Sequence, residues 1–92
     1  MSAYVIVHGT PIDPEQLGAY SKAAGPTITA HGGAIVAKGA PTVLTGQSNH
    51  AMAAIIEFPD ADAARAWYDS DAYQALIPAR ERGLRCDFVL CG

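Results

Sequence analysis

Short apolar runs separated by turn-forming residues predict four main β-strands. These runs, rich in β-branched and aromatic residues, occupy positions 3–9 (AYVIVHG), 34–38 (AIVAK), 51–58 (AMAAIIEF) and 85–91 (RCDFVLC). Such runs bounded by Gly, Pro or Asp are typical of strands. A short β-like return is also predicted at residues 42–45, before a polar loop at residues 46–50.

Two helical regions lie between the strands. Asp13, Pro14 and Glu15 form a helix start, because an acceptor caps free amides, and proline and an acid suit the first turn. Apolar residues then recur at helical spacing, at Leu17, Tyr20, Ala24 and Ile28. Pro26 is expected to bend or break this helix, because proline lacks the backbone donor. Residues 31–33 (HGG) should end it.

The second helical region is interrupted. Asp60 should cap a helix over residues 61–69, and Ser70 or Asp71 should begin another. Pro78 is expected to kink this second segment before Gly83 ends it. The order is then β-α-β-β-α-β, which predicts an α+β, ferredoxin-like fold with an antiparallel sheet. Because half this length rarely forms a core of its own, we expect one domain over residues 1–92.

Side-chain alternation divides each strand into two sets. The all-apolar sets, expected beneath the helices, are Val5 and Val7; Ile35 and Ala37; Met52, Ala54, Ile56 and Phe58; and Cys86, Phe88 and Leu90. The complementary sets are Tyr4, Ile6 and His8; Ala34, Val36 and Lys38; Ala53, Ile55 and Glu57; and Arg85, Asp87, Val89 and Cys91. This second face is too apolar for water and too charged for a core, which predicts a homodimer that stacks sheet on sheet.

The composition supports association with a second copy and argues against nucleic-acid and membrane partners. Half the residues are hydrophobic and 16% are charged, against about 25% charged in average domains. A net charge of −3 without a basic face argues against nucleic-acid binding. No apolar run approaches the roughly 20 residues of a membrane span. The chain enters a strand without a signal-like segment, so a cytoplasmic location is expected.

The two cysteines predict neither a disulfide nor a metal site. Cys86 and Cys91 lie five positions apart in one strand, roughly 16 Å along the backbone, beyond the ~7 Å limit for a disulfide. We expect both to be small buried hydrophobic residues. With His8, His31 and His50 they show no zinc-ligand spacing, and no metal or other cofactor is expected.

Three segments carry a family resemblance: residues 55–60 (IIEFPD), 63–68 (AARAWY) and 70–76 (SDAYQAL). With Asp13-Pro14, Tyr20, Pro26-Thr27-Ile28, Gly32-Gly33 and Lys38-Gly39, the chain closely resembles domain-of-unknown-function family 1330 over nearly its whole length. The resemblance implies a ferredoxin-like protomer that forms a dimeric α/β barrel. Lys38-Gly39-Ala40 replaces the family's common Arg-Gly-Gly, and lysine cannot make a bidentate guanidinium contact. Cys91-Gly92 ends the last strand where the family tends to have an acid.

Candidate site residues come mainly from the mixed face. His8 and Glu57 are the catalytic candidates, because an imidazole near a carboxylate in an apolar cavity suits proton transfer. The candidate binding residues are Tyr4, Lys38, Tyr68, Tyr73, Arg80, Arg85 and Asp87. Structural alternatives stay open: Arg85 pairs with Asp87 or Glu57 and only aligns the dimer, the helix aromatics are core, and Arg80 pairs with Glu81 or a partner's acid.

Several functions remain open at this point. The favoured hypothesis is binding of a small, partly apolar organic molecule in a pocket of the dimeric barrel. Similar barrels include cofactor-free monooxygenases and muconolactone-type isomerases, so His8 or Glu57 would abstract a proton while Arg85 or Lys38 holds the oxyanion. The alternatives are binding without chemistry, a structural or stress-associated homodimer, and a haem-binding barrel using His8 or His50.

Overall fold

The strands coincide with the apolar runs of the sequence. In the computed structural model, which describes residues 1–92, they are β1 (Ala3–Pro11), β2 (Ala34–Gly39), β3 (Met52–Phe58) and β4 (Leu84–Cys91). They form one sheet in the order β2-β3-β1-β4, with every neighbouring pair antiparallel. The predicted α+β arrangement with an antiparallel sheet is therefore confirmed.

Acceptor side chains cap the first three of the four helices. They are α1 (Pro14–Ala30), α2 (Ala61–Asp69), α3 (Asp71–Gln74) and α4 (Ile77–Gly83). The Asp13 carboxylate accepts from the backbone N–H of Glu15 at 3.0 Å, and the Asp60 carboxylate accepts from Ala63 at 2.7 Å. Ser70 caps α3, and Pro78 lies in the first turn of α4. In place of one helix kinked at Pro78 there are thus two short helices, and the break between them comes before Pro78.

Pro26 does not break α1, which continues through it to Ala30. A proline inside a helix removes one backbone donor. Buried Ala24 before it and Ile28 after it join the same core, so a continuous helix keeps more packing than a broken one. The Thr27 hydroxyl also donates to the Ala24 carbonyl at 2.6 Å. The helix ends at His31, and Gly32 comes next with φ of 77°, a conformation that favours glycine.

No strand forms at residues 42–45, so that prediction is wrong. Val43 is half exposed and Leu44 is 95% exposed, within a loop that runs from Ala40 to Ala51. The segment's β-branched residues favour a strand locally, but the segment pairs with none of the four strands of the sheet. Strand propensity without a pairing partner and a surface to cover did not suffice here.

The core lies between the helices and one face of the sheet. Phe58, Trp67 and Tyr73 are fully buried there, together with Tyr20, Ala24 and Ile28 of α1. The Trp67 ring lies 5.3 Å from Phe58 and 4.4 Å from Tyr73 between centroids. Its indole N–H donates to the Thr27 hydroxyl at 3.0 Å. For Trp67, the structural alternative that the helix aromatics are core is therefore confirmed.

The strand register sorts most residues onto the expected faces. Val5 lies opposite Ile56 and Leu90 on the face that the helices cover. Tyr4 lies opposite Glu57 and Cys91, and His8 lies opposite Asp87, on the face that nothing in the protomer covers. We call these the covered face and the uncovered face.

The edge strand β2 departs from this alternation. Ile35 pairs with Ile56, but Ala37 pairs with Ile55, because the register shifts at a bulge between Ile35 and Ala37. A bulge inserts one extra residue and reverses the facing of the residues beyond it. Lys38 therefore lies opposite Ala54 on the covered side, and Ala37 lies on the uncovered side, both contrary to expectation.

The cysteines differ in environment. Both thiols are free, as predicted, and they alternate to opposite faces of β4. Cys86 is half-buried, and burial raises the pKa of its thiol. Cys91 is exposed, so the expectation that both are buried is wrong for it, because the uncovered face carries its side chain. No three or more His, Cys, Asp or Glu side chains converge in the arrangement of a metal site. None of the helices is both long and apolar enough to cross a membrane.

Candidate functional site

The predicted site residues are divided between the two faces of the sheet. Tyr4, His8, Glu57, Arg85 and Asp87 belong to the uncovered face. The remaining four candidates belong to the helix side: Lys38, Tyr68, Tyr73 and Arg80. A four-stranded sheet separates the two groups, so a single pocket that combines Tyr68 with His8 and Glu57 does not form within the protomer. Each face is therefore a separate candidate.

On the uncovered face, Tyr4 and Glu57 face each other across β1 and β3. The Tyr4 hydroxyl donates to Glu57 Oε2 at 3.1 Å. Tyr4 is 37% exposed, and Glu57 is half-buried. Apolar residues continue this face, with Ile6 between Ile55 and Val89 in register and Val89 56% exposed. The face combines an apolar strip with hydrogen-bonded acids.

His8 has no ion-pair partner, because Asp87 is engaged elsewhere. The Asp87 carboxylate lies 3.0 Å from His50 Nε2, and His50 Nδ1 lies 3.0 Å from the Thr10 hydroxyl. The Thr10 oxygen also accepts the Ala51 N–H at 3.3 Å, so its proton is free for Nδ1 and the imidazole donates through Nε2 to Asp87. This Thr10–His50–Asp87 chain fastens the end of the 40–51 loop to β1 and β4.

Two structural alternatives from the sequence have clear outcomes. Arg85 is exposed, lies opposite Thr10, and forms no ion pair with Asp87 or Glu57 within the protomer. His50 takes the Asp87 carboxylate instead. Nothing in the local pattern could identify this, because His50 lies in a loop whose path depends on the whole fold. Arg80 does approach Glu81, at 3.6 Å from Nη2 to Oε1.

On the helix side, Arg80 is the centre of a buried hydroxyl network. The residue is 7% exposed, and its Nη1 donates to the hydroxyls of both Tyr68 and Tyr73 at 3.1 Å. The Tyr73 hydroxyl lies 2.7 Å from that of Tyr20. The guanidinium carbon stands 4.9 Å from the centroid of the Phe88 ring, a favourable cation–π distance. Glu81, its only acidic neighbour, is 60% exposed on its side chain.

Burial and this network shift the ionisation of three groups. Burial raises the pKa of Tyr20, and the neighbouring Tyr73 hydroxyl raises it further. Burial also raises the pKa of Tyr73, although the hydrogen bond and the positive charge of Arg80 partly oppose this. Burial alone lowers the pKa of Arg80, but its bonds to Tyr68 and Tyr73 outweigh that effect and raise it. At neutral pH the tyrosines are therefore neutral phenols and Arg80 is a cation.

A cavity of about 180 Å³ adjoins this network between α1 and the sheet. Its walls are mostly apolar and include Tyr20, Ala24, Lys38, Trp67 and Phe88. Lys38 is its one charged lining residue, and no His, Asp or Glu lines it. The sequence pattern did not predict this cavity, because it assigned Tyr20 and Ala24 to packing and Lys38 to the other face.

A second cavity of about 240 Å³ lies near the end of α2. Tyr68 lines it together with Arg65, Asp69 and Phe88. Phe88 lines both cavities, whereas Tyr68 lines the second. The hydroxyls of Tyr68 and Tyr73 converge on Arg80, which itself lines neither of these two cavities.

A family model described as "Domain of unknown function (DUF1330)" matches residues 2–92. No curated protein matches the sequence. Among solved structures, a protein of unknown function from Rhodopseudomonas palustris has a TM-score of 0.78 at 17% identity, over 97% of this chain and 79% of that one.

Two further solved structures bear on the fold. SnoaB, a cofactor-independent oxygenase from Streptomyces nogalater, has a TM-score of 0.72 at 12% identity, over 99% of this chain and 91% of SnoaB. A dimeric ferredoxin-like protein of unknown function from Thermobifida fusca has a TM-score of 0.66 at 20% identity, over 98% and 89%. At these identities the likeness shows the ferredoxin-like fold alone.

Proposed function

The chain belongs to the DUF1330 family, and we propose that it binds a small, partly apolar organic molecule in the cavity between α1 and the sheet. The observation that carries the proposal is the cavity itself: about 180 Å³, walled mainly by apolar side chains, with a few polar groups on its wall. Ligand sites in proteins combine these two properties. An apolar cavity of about 150 Å³ is large enough to bind benzene, so a molecule with one aromatic ring suits this volume.

The cavity supports binding more directly than catalysis. The most common protein bases, His, Asp and Glu, are absent from its lining. Burial raises the pKa of Tyr20, which makes it a poor base at neutral pH. Cofactor-free oxygenase-like or isomerase-like chemistry with His8 or Glu57 as base would belong to the uncovered face. We retain that chemistry as part of the proposal because SnoaB, of similar fold, is a cofactor-independent oxygenase.

The second candidate function is a homodimer without chemistry. The apolar strip around Ile6, Ile55 and Val89 favours it, since contiguous exposed apolar area marks interfaces. A solved structure of similar fold is also described as dimeric. In such a dimer the Tyr4–Glu57 pair would serve the contact between two uncovered faces. Light scattering of the purified protein across a range of concentrations measures the oligomeric state.

The test of the cavity uses isopropylbenzene as an apolar probe and NMR as the readout. Trp67 is the only tryptophan and lines the cavity, so its single indole N–H resonance reports occupancy. We expect a saturable shift of that resonance. Ala24→Leu, which places a larger side chain on the cavity wall, should weaken binding at least about tenfold, since it removes space and apolar contact.

Ala23→Leu is the matched control. Ala23 is exposed on the same helix, next to buried Ala24, so the change in composition and helix propensity is the same. The control should bind isopropylbenzene as the unchanged protein does. Equal affinity in the Ala24 and Ala23 variants, or a shift that never saturates, would contradict the binding site. His8→Ala and Glu57→Gln should leave the affinity unchanged, because both lie across the sheet.

A further inference from the structure

The hydroxyl of Tyr73 has only two neighbours that can bond to it. Tyr73 is fully buried, and its oxygen contacts Arg80 Nη1 at 3.1 Å and the Tyr20 oxygen at 2.7 Å. Arginine only donates hydrogen bonds, so Tyr73 is the acceptor in the first contact. Its own proton then has one acceptor within reach, which is Tyr20.

This assigns a direction to the whole chain of bonds. Either direction leaves one phenol proton without an acceptor, and that proton costs less on Tyr20, which is 8% exposed and lines the α1 cavity, than on Tyr73, which is 0% exposed. The bonds therefore run from Arg80 to Tyr73 and from Tyr73 to Tyr20. The hydroxyl proton of Tyr20 then has no acceptor within the protein, because Tyr73 is the one hydrogen-bond partner of the Tyr20 hydroxyl.

The excess of donors is a property of the whole helix side. Arg80 Nε is buried and has no hydrogen-bond partner. Of the groups near the guanidinium, two are phenols and one is the exposed carboxylate of Glu81. The α1 cavity, with Tyr20 on its wall, likewise has Lys38 as its only charged group and no carboxylate. Buried donors without acceptors are uncommon and call for a partner.

We propose that the cavity selects molecules with a carbonyl or oxyanion oxygen, which accepts the hydrogen bond of Tyr20. The inference rests on the proposed binding function and names the chemical class that the site takes. Arg80 donates to Tyr73 and so polarises the Tyr73–Tyr20 pair, which would strengthen the Tyr20 hydroxyl as a donor to the ligand. Lys38 adds positive charge at the wall, so a cationic ligand of the same shape is disfavoured.

Two probes of nearly equal shape isolate this contact. Acetophenone and isopropylbenzene share a phenyl ring, and the carbonyl oxygen of the first takes the place of a methyl group in the second. Both are titrated against the purified protein, with the Trp67 indole resonance as the readout. The measured quantity is the ratio of the two dissociation constants, isopropylbenzene over acetophenone. Comparing this ratio between variants cancels the different hydrophobicity of the probes.

Tyr20→Phe keeps the ring on the cavity wall and removes the donor. We expect the ratio to fall about tenfold, the usual worth of one buried hydrogen bond with charge assistance. The matched control is Tyr68→Phe, which removes the other hydroxyl bound to Arg80 Nη1 but lines the second cavity. This control should leave the ratio unchanged. 1-Phenylethylammonium, the cation of the same skeleton, should not bind the unchanged protein.

A measurement on the unchanged protein protects the test if Tyr20→Phe does not fold. The carbonyl stretch of bound acetophenone should lie at lower frequency than in an apolar solvent, because a hydrogen bond weakens the C=O bond. A stretch at the apolar-solvent position overturns the inference, as does an equal ratio in Tyr20→Phe and the unchanged protein.

Failure of the inference and failure of the binding function are distinguishable. Saturable binding of isopropylbenzene with no dependence of the ratio on Tyr20 leaves the binding function standing and removes the oxygen selectivity. If neither probe binds, the binding function and the inference fall together. Strong binding of the ammonium probe would also contradict the inference, since the cavity wall has no carboxylate to pair with a cation and carries the positive charge of Lys38.

Discussion

The two faces of the single sheet handle their polar groups in opposite ways. On the covered side, Arg80, Tyr73 and Tyr20 form a buried network in which a cation meets only hydroxyls, apart from an exposed glutamate. On the uncovered face, the hydrogen-bonded pairs contain carboxylates, as in Tyr4 with Glu57 and His50 with Asp87. The first network is desolvated and short of acceptors, whereas the second is open and has charged acceptors.

This difference affects what each contact contributes. Hydrogen bonds to a charged group in a buried site contribute about 1.5–3 kcal/mol, because water cannot replace a lost partner. Exposed pairs contribute about 0–1 kcal/mol. The covered side therefore holds a fixed geometry suited to recognising a ligand, while the uncovered face gains fixed geometry only when another surface covers it. Substitutions on one face, with the other face as the reference, test this difference.

The largest expected effect comes from the apolar packing of the covered side. Trp67→Ala removes a fully buried ring between Phe58 and Tyr73 and should lower the free energy of unfolding by about 3–5 kcal/mol. Val89→Ala on the uncovered face should lower it by less than about 1 kcal/mol in the monomer. Urea unfolding followed by circular dichroism measures both. A Val89 cost that rises with protein concentration would show that a second copy covers this face.

Alkaline pH should act selectively on the covered side. The pKa values of Tyr20 and Tyr73 are raised above 10.0 in the folded protein, so the unfolded chain loses these protons first. Their contribution is fully present below about pH 10 and is lost as the pH rises toward the folded values. Above pH 10 each tyrosine should lower the free energy of unfolding by about 1.4 kcal/mol per pH unit. Urea unfolding between about pH 9 and 11.5 measures this slope.

Tyr20→Phe gives the control for the alkaline slope. It removes one of the two ionising groups, so the loss of stability per pH unit attributable to this pair should fall by about half. An unchanged slope would mean that the buried phenols are not responsible for the alkaline loss. Tyr4→Phe, on the uncovered face, provides the comparison for a tyrosine hydroxyl outside the network.

The smallest expected changes in the free energy of unfolding come from removing one tyrosine hydroxyl on each face. Tyr73→Phe deprives Arg80 Nη1 of one acceptor and Tyr20 of its donor, so the free energy of unfolding should fall by about 1–3 kcal/mol. Tyr4→Phe loses an exposed bond to Glu57 and should change it by about 0–1 kcal/mol. Thermal or urea unfolding of both variants at neutral pH measures the two costs. Equal costs would remove the proposed difference between the faces.

The face of the sheet on which each side chain of β1, β3 and β4 lies was predictable from the sequence, because side chains alternate strictly in a regular strand. Val5, Ile56 and Phe88 share one face as expected, and Tyr4 and Glu57 share the other. The facing of Lys38 was not predictable, because one extra residue in β2 reverses it and no local pattern marks the bulge. The prediction of a strand at residues 42–45 failed for a related reason. Whether a segment pairs into a sheet depends on its neighbours in the fold as well as on its own propensity.

The candidate site was predictable in its members but not in its assembly. Tyr73 and Arg80 were recognised as binding candidates beside the core alternative, and the structure shows them buried and bonded to each other. Tyr20 was assigned only to packing, because the apolar spacing in α1 does not reveal which groups its hydroxyl contacts. Those contacts depend on how α1 approaches α3 and α4, which is a tertiary property.

The pairing of β1 with β4 has a consequence for the order in which this fold can be completed. The register joins Tyr4 to Cys91, at opposite ends of the 92-residue chain. Until residues 84–91 have been synthesised, β1 has β3 on one side only and keeps a row of unpaired backbone N–H and C=O groups on the other. Contacts between such distant positions slow folding, and an unpaired edge is open to other chains. One edge of β1 therefore stays open to pairing with other chains until residues 84–91 are in place.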